Sequence, residues 1–174
     1  MFRKLFFGLG VLLGVVSPQT APDLSARVYR IGDQLYVNIE LVGAYAGTAL
    51  DLVSSGTRVA IGLEAAVEGS SWPPVRVTRS IRRDGAVDAW IVETETKGEE
   101  KILRDRDAAL ILASRAWGIH LGPADGSRRA FAVTVRAGAG LIDAEGLWHR
   151  ADILWGYAEP ELRFAFSGPE EVPF

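Results

Sequence analysis

The sequence predicts a mainly β fold: an antiparallel β-sandwich or curled sheet with one or two short helices packed on it. Three observations carry that reading. Residues 34–42 alternate strictly, with Leu35, Val37, Ile39 and Leu41 on one face and Gln34, Tyr36, Asn38 and Glu40 on the other. Period-two patterning of this kind marks a half-buried strand. Residues 75–83 and 86–96 read as two strands joined by Asp84-Gly85, a strong hairpin signal. Elsewhere the strand-like runs are separated by short turns more than by helical crossovers, which favours antiparallel pairing.

Each element has a local reason. Residues 26–31 pair with 34–42 through a Gly32-Asp33 turn. Residues 48–55 form a short helix: Thr48 and Asp51 have capping-box spacing, Leu50 and Val53 share a face, and Gly56 supplies a left-handed stop. Residues 58–67 resume a strand, with Val59, Ile61 and Leu63 on one side. Residues 69–74 are a loop, because Pro73-Pro74 cannot sit inside a ladder. A two-residue Asp84-Gly85 turn would pair Arg83 with Ala86. It would then set Arg79 opposite Trp90 and Arg76 opposite Glu93, a cation–π contact and an ion pair that fix register. Residues 97–100 turn the chain again into a short strand at 101–104.

The best helix spans residues 105–117. Asp105 or Asp107 caps it, Leu110, Ile111, Ser114 and Trp117 line one stripe, Arg115 lies in the last turn, and Gly118 stops it. Residues 119–121 form a short strand and 122–129 a loop. Residues 130–142 are a long strand in which Gly138 and Gly140 signal a bulge or a close backbone approach. Residues 146–157 are rich in aromatics. Residues 162–166 form the last strand, and the polar tail at 168–174 is expected to fray. Pro73, Pro74 and the arginine-rich strand are expected to blunt a sheet edge.

The 174 residues include 19 Lys+Arg, 22 Asp+Glu, 2 His and no Cys, for a formal net charge of −3. The missing cysteines exclude a disulfide framework, thiolate metal sites and a cysteine nucleophile. The mildly acidic balance argues against a nucleic-acid partner. Arg3 and Lys4 precede an uncharged apolar run, Leu5 to Val16, followed by Ser17-Pro18-Gln19-Thr20. That is the layout of a secretory signal, and the run falls short of the roughly 20 residues that a spanning helix needs. Residues 1–21 therefore read as a signal peptide or N-terminal anchor giving loose membrane association, and residues 22–167 as one β-rich domain of the periplasm or cell envelope.

No nucleophile elbow, phosphate loop or dinucleotide fingerprint is present. His120 and His149 stand apart from other metal-ligating side chains, and Asp105 with Asp107 is explained by helix capping. No cofactor and no metal is expected. Glu93 and Glu95 share a strand face, but glycosidase chemistry needs a cleft between carboxyls about 5–9.5 Å apart. Arg76, Arg79, Arg82 and Arg83 form the one basic cluster. On a strand it splits, Arg76 and Arg82 facing one way and Arg79 and Arg83 the other. Trp148, His149, Trp155 and Tyr157 are the candidate interaction surface, since aromatic and basic residues of this kind anchor interfaces.

One resemblance is carried by Arg27-Val28-Tyr29 before Gln34-Leu35-Tyr36-Val37-Asn38 and Glu40-Leu41, by Ser55-Gly56 after the short helix, and by Val59-Ala60-Ile61. With the arginine-rich strand at 75–83, Trp90 and Ala108-Ala109, these residues resemble an exported bacterial family, domain of unknown function 4390. The similarity covers residues 25–167 and rests on packing patterns. It implies an exported, membrane-associated or periplasmic domain and supplies no catalytic residues. The expectation is a non-enzymatic envelope module that binds another envelope protein. A small hydrophobic-ligand carrier and an acid-type hydrolase are the alternatives.

Overall fold

A computed structural model describes residues 21–95, 98–124 and 130–174. The expected signal segment before them, most of the 122–129 loop and part of the 97–100 turn lie outside the described residues. Among the described residues the fold is mainly β, with antiparallel sheets and two short α-helices. The first sheet has three strands in the order β1-β2-β7: β1 (Asp23–Ile31), β2 (Gln34–Val42) and β7 (Arg115–Pro123). The second has seven. Its order is β10-β8-β3-β4-β5-β6: β10 (Glu161–Phe166), β8 (Phe131–Ile142), β3 (Val59–Val67), β4 (Val75–Asp84), β5 (Ala89–Thr94) and β6 (Glu99–Leu103). The short β9 (Trp148–Arg150) shares the outer edge of β8 with β10.

The alternation in β2 sets the core. Leu35, Val37, Ile39 and Leu41 are all buried and join Ile61, Leu63, Ile81, Val133 and Val135 of the large sheet in one apolar cluster. Helix α1 (Thr48–Ser54) contacts β3 and β4, and helix α2 (Arg106–Ala113) contacts β4, β5 and β6, on the same side of the large sheet. From the core face of β4, Arg79 donates to the Leu112 carbonyl of α2 at 2.6 Å.

The hairpin of β4 and β5 is real, but its loop is longer than two residues. Asp84 pairs with Ala89, so residues 85–88 form the turn. Asp84 Oδ1 accepts from the Ala86 N–H at 2.9 Å, and Asp88 takes a positive φ of 47°. Arg83, not Arg79, therefore faces Trp90, and Arg79 faces Thr94. Arg76 lies opposite Glu64 of β3 instead of Glu93. The partners slip by four residues. An even slip leaves every side chain on its face, which is why the patterning stayed correct. β4 is an interior strand between β3 and β5, so its arginines do not protect an edge.

Each helix bears out one expected end and corrects the other. The N-cap of α1 is Gly47, with φ 53° and no side-chain cap, while Thr48 is buried inside the first turn. Its C-terminus follows expectation: Gly56 has φ 91°, Gly56 N bonds Val53 O, and Thr57 N bonds Leu52 O at 2.9 Å, a Schellman closure. Asp105 caps α2 by accepting from Ala108 N at 2.7 Å. However, α2 ends at Ala113, and the chain enters β7 at Arg115. Arg115 pairs with Glu40 across the sheet and donates to its carboxylate from Nε at 2.8 Å. Gly118, expected to stop a helix, takes φ 66° in a β-bulge, where its N–H bonds Asn38 Oδ1 at 2.8 Å. The buried residues of α2 are Ala109 and Ala113, whereas Ile111 and Trp117 are exposed.

The tail is not frayed. Val172 is buried in the core, Pro173 O accepts from Arg30 N at 2.8 Å, and the Arg30 guanidinium lies 4.1 Å from the Phe174 ring centre.

Glu68, just past β3, holds Arg163 of β10 through a fork: Oε1 to Nε at 2.7 Å and Oε2 to Nη2 at 2.8 Å. Thr134 of β8 donates to the same carboxylate at 2.9 Å. These bonds, the Arg163 bond first, pull the Glu68 carboxyl down from 4.5 to about 2. A depressed carboxyl stabilises the fold above its unfolded value and loses that contribution as pH falls through the folded one. The stability difference between wild type and Glu68→Gln is therefore expected to be constant above pH 4.5 and to vanish as pH falls to about 2. Urea midpoints measured against pH check this. A difference that persists unchanged at pH 2 would assign the effect to packing.

Candidate functional site

The outer face of the large sheet is built from the residues that alternate away from the core. Ladder register places Gly62 of β3 opposite Gly138 of β8, and Ala60 opposite Gly140. No bulge interrupts this register, so of the two expected reasons for the β8 glycines only close approach holds, and only at Gly140. Three glycines thus leave a bare lane of backbone across two neighbouring strands. Trp148 of β9 lies along one end of it. A Cβ on Gly140 would stand 2.6 Å from Trp148 Cζ2, and one on Gly62 would stand 3.5 Å from Cη2, whereas one on Gly138 would meet nothing within 4 Å.

Gly62 and Gly138 floor a hollow of about 690 Å³, while Gly140 lies under Trp148. The walls of the hollow are charged and paired. Arg76 binds Glu64 at 2.6 Å, Arg136 binds Glu161 at 2.6 Å, and Arg150 binds Asp152 at 2.5 Å and also Glu159. The carboxylate bonds push the Arg136 and Arg150 guanidiniums above their ordinary value. Further along the face, Arg58 bridges Glu93 and Glu95, with the buried Ser80 hydroxyl donating to Glu95 at 3.0 Å. The suggestive Glu93–Glu95 pair is thus clamped by a guanidinium. Arg82 sits beside Glu93 at 3.8 Å. The expected splitting of the basic cluster holds: Arg76 and Arg82 join this face, while Arg79 bonds the helix on the other side.

The four residues of the expected interaction surface do not form one face. Trp148 is partly exposed over the glycine lane. His149 is exposed and meets Asp143 Oδ2 through Nε2 at 2.6 Å. That bond, with those from the Leu147 and Glu145 N–H groups, lowers the Asp143 carboxyl and organises the turn before β9. Among the described residues no hydroxyl bonds His149. Trp155 is a core residue: it is 3% exposed, and its Nε1–H donates to the Ala44 carbonyl at 2.9 Å. A 3-10 turn at Asp152–Trp155 carries the chain from the outer face into the core, which buries Leu154 and Trp155. Tyr157 follows on the surface at 73% exposure, held at a left-handed φ of 66°.

A second surface was not anticipated. On the outer face of the small sheet, Tyr29 stacks on Tyr36 at 5.6 Å, Tyr36 meets His120 at 5.2 Å, and Trp72 approaches His120 edge-on at 6.0 Å. His120 Nε2 also contacts Gln34 Oε1 at 2.8 Å. Trp72 is seated on Gly122, where a Cβ would fall 2.8 Å from its ring and φ is 101°. Trp117, beside the bulge, is 67% exposed with the Arg115 guanidinium 5.6 Å from its ring. Part of the signal lies in the outward set of β2, but reading residues 105–117 as helix splits β7, which leaves His120 in a three-residue strand with no partner and Trp117 on a helix stripe. Beneath Trp72 a smaller cavity of about 200 Å³ opens between the sheet ends, lined by Leu35, Val67, Phe131 and Pro123.

Among the described residues no group of three or more side chains is arranged to hold a metal ion, and no helix is long and apolar enough to cross a membrane. No family model, curated protein or solved structure matches the chain.

Proposed function

We propose that this chain is an exported, non-enzymatic module of the cell envelope that binds another protein. The observation that carries the reading is the aromatic row on the small sheet, Tyr29-Tyr36-His120-Trp72, with Trp117 exposed on the same strand as His120 and Arg115 over its ring. Aromatic side chains with an adjacent arginine are the usual energetic anchors of protein interfaces, and Trp72 and Trp117 leave much of their surface exposed here. The layout of residues 1–21 and the resemblance to domain of unknown function 4390 support an envelope setting. The hydrophobic-ligand carrier alternative has less to rest on, because the cavity under Trp72 is below the roughly 300–1,000 Å³ typical of small-ligand sites and the larger hollow on the other sheet is walled by ion pairs. The hydrolase alternative is weakened by the arginine between Glu93 and Glu95.

A photo-crosslinking residue at position 117 of the full-length protein in its native cell tests the proposal, with position 100 on the far edge strand as control. One dominant envelope protein captured from 117 and not from 100 is expected. Its capture from a crosslinker at 72 should fall at least tenfold in the Trp117→Ser variant, with the thermal midpoint little changed. Equal capture from both positions, or none, overturns the reading.

A further inference from the structure

The hollow on the large sheet lies on a different sheet from the aromatic row and has its own chemistry. Its floor is bare backbone at Gly62 and Gly138, and its end wall is the indole of Trp148. Its rim alternates guanidinium and carboxylate: Arg76 with Glu64, Arg136 with Glu161, Arg150 with Glu159. The volume of about 690 Å³ is that of a small-ligand site. We propose that this hollow binds a neutral saccharide.

Three features select that ligand class. First, every rim arginine already has a carboxylate partner, so an incoming phosphate or sulfate would face repulsion from Glu64, Glu159 and Glu161 and would have to break an existing pair. A hydroxyl pays no such penalty: it donates to a carboxylate oxygen and accepts from a guanidinium N–H without displacing either. Second, a sugar ring presents polarised C–H groups on its faces, and the electron-rich face of an indole attracts them. Trp148 is held for this by β9 and seated against Gly140, so little order remains to be imposed on binding. Third, a peptide strand has nothing to pair with here. β3 is paired on both sides, and the outer edge of β8 is taken by β10, β9 and the Ala137 N–Pro160 O and Ala151 N–Ala139 O bonds, so the floor offers no run of free backbone for strand addition, and the glycine lane has no apolar pocket to receive a side chain.

The lane also supplies a clean test. A Cβ on Gly138 meets nothing within 4 Å and the residue does not take a positive φ, so a side chain there starts in open space and Gly138→Val adds bulk over the floor. Trp148→Ala removes the platform. Isothermal titration of the full-length protein with chitohexaose, cellohexaose and maltohexaose would be run beside heparin and an extended neutral peptide. At least one neutral hexasaccharide is expected to bind, with affinity at least tenfold weaker in both variants and an unchanged thermal midpoint in Gly138→Val. Binding of heparin or the peptide alone, binding of no probe, or saccharide binding that both variants retain would overturn the proposal. None of these outcomes bears on the aromatic row, which the Trp117 experiment reads separately.

Discussion

Replacing Trp155 by alanine is expected to lower the stability of the domain by about 3–5 kcal/mol, the range for removing a buried large aromatic side chain. The indole fills the end of the core beside Leu154, and its N–H satisfies the Ala44 carbonyl. Alanine removes both the packing and the bond. Trp155→Phe keeps much of the volume but strands the carbonyl, and should cost roughly 1–3 kcal/mol. Domains of this size are stable by only about 5–15 kcal/mol, so the alanine variant should unfold at much lower urea, with a similar denaturant slope. A loss under 1 kcal/mol would mean that the indole is not seated in the core. The same experiment bears on site assignment. Loss of any partner in Trp155→Ala would report unfolding, whereas Trp117 and Trp148 can be removed with little effect on the core.

Val172→Asp is expected to detach the C-terminal tail. A carboxylate cannot stay in the apolar site that Val172 fills. The chain has a cheaper option than global unfolding, because residues 168–174 can lift away. The expected cost is then that of re-exposing the valine side chain, roughly 1.5–3 kcal/mol. Undocking also takes Pro173 O from Arg30 N and Phe174 from the Arg30 guanidinium. Carboxypeptidase should trim the variant rapidly to the end of β10 while leaving the wild type intact, and urea denaturation should give the energetic loss. Equal trimming of both would show that the tail is already free.

The tail illustrates why some elements are hard to read from sequence. Ser167-Gly168-Pro169 and two glutamates look like a polar terminus, and the single apolar residue that matters, Val172, has no periodic companion. Its burial depends on where β1 lies, a contact between residues far apart in the chain. The β4–β5 loop is similar. Asp84-Gly85 signals a two-residue turn, but the Asp84 side chain captures Ala86 N and enlarges it. The first part of β7 is hard to read for a third reason. Its bulge at Trp117-Gly118 breaks period two, so the residues imitate the end of a helix.

The sequence by itself determined the mainly β class, the strand identities of β2, β3, β4, β8 and β10, the start of α2, and the two-faced division of the arginines. These follow from period-two alternation, from an aspartate before a helical run and from side-chain parity, all of which act within a few residues. Only the tertiary structure decided that Trp155 is core, that Tyr29, Tyr36, His120 and Trp72 form one row, and that Gly62, Gly138 and Trp148 share a hollow. Each of these depends on the register between strands distant in sequence. Register is set by the summed packing of both sheets, a quantity that no single segment contains.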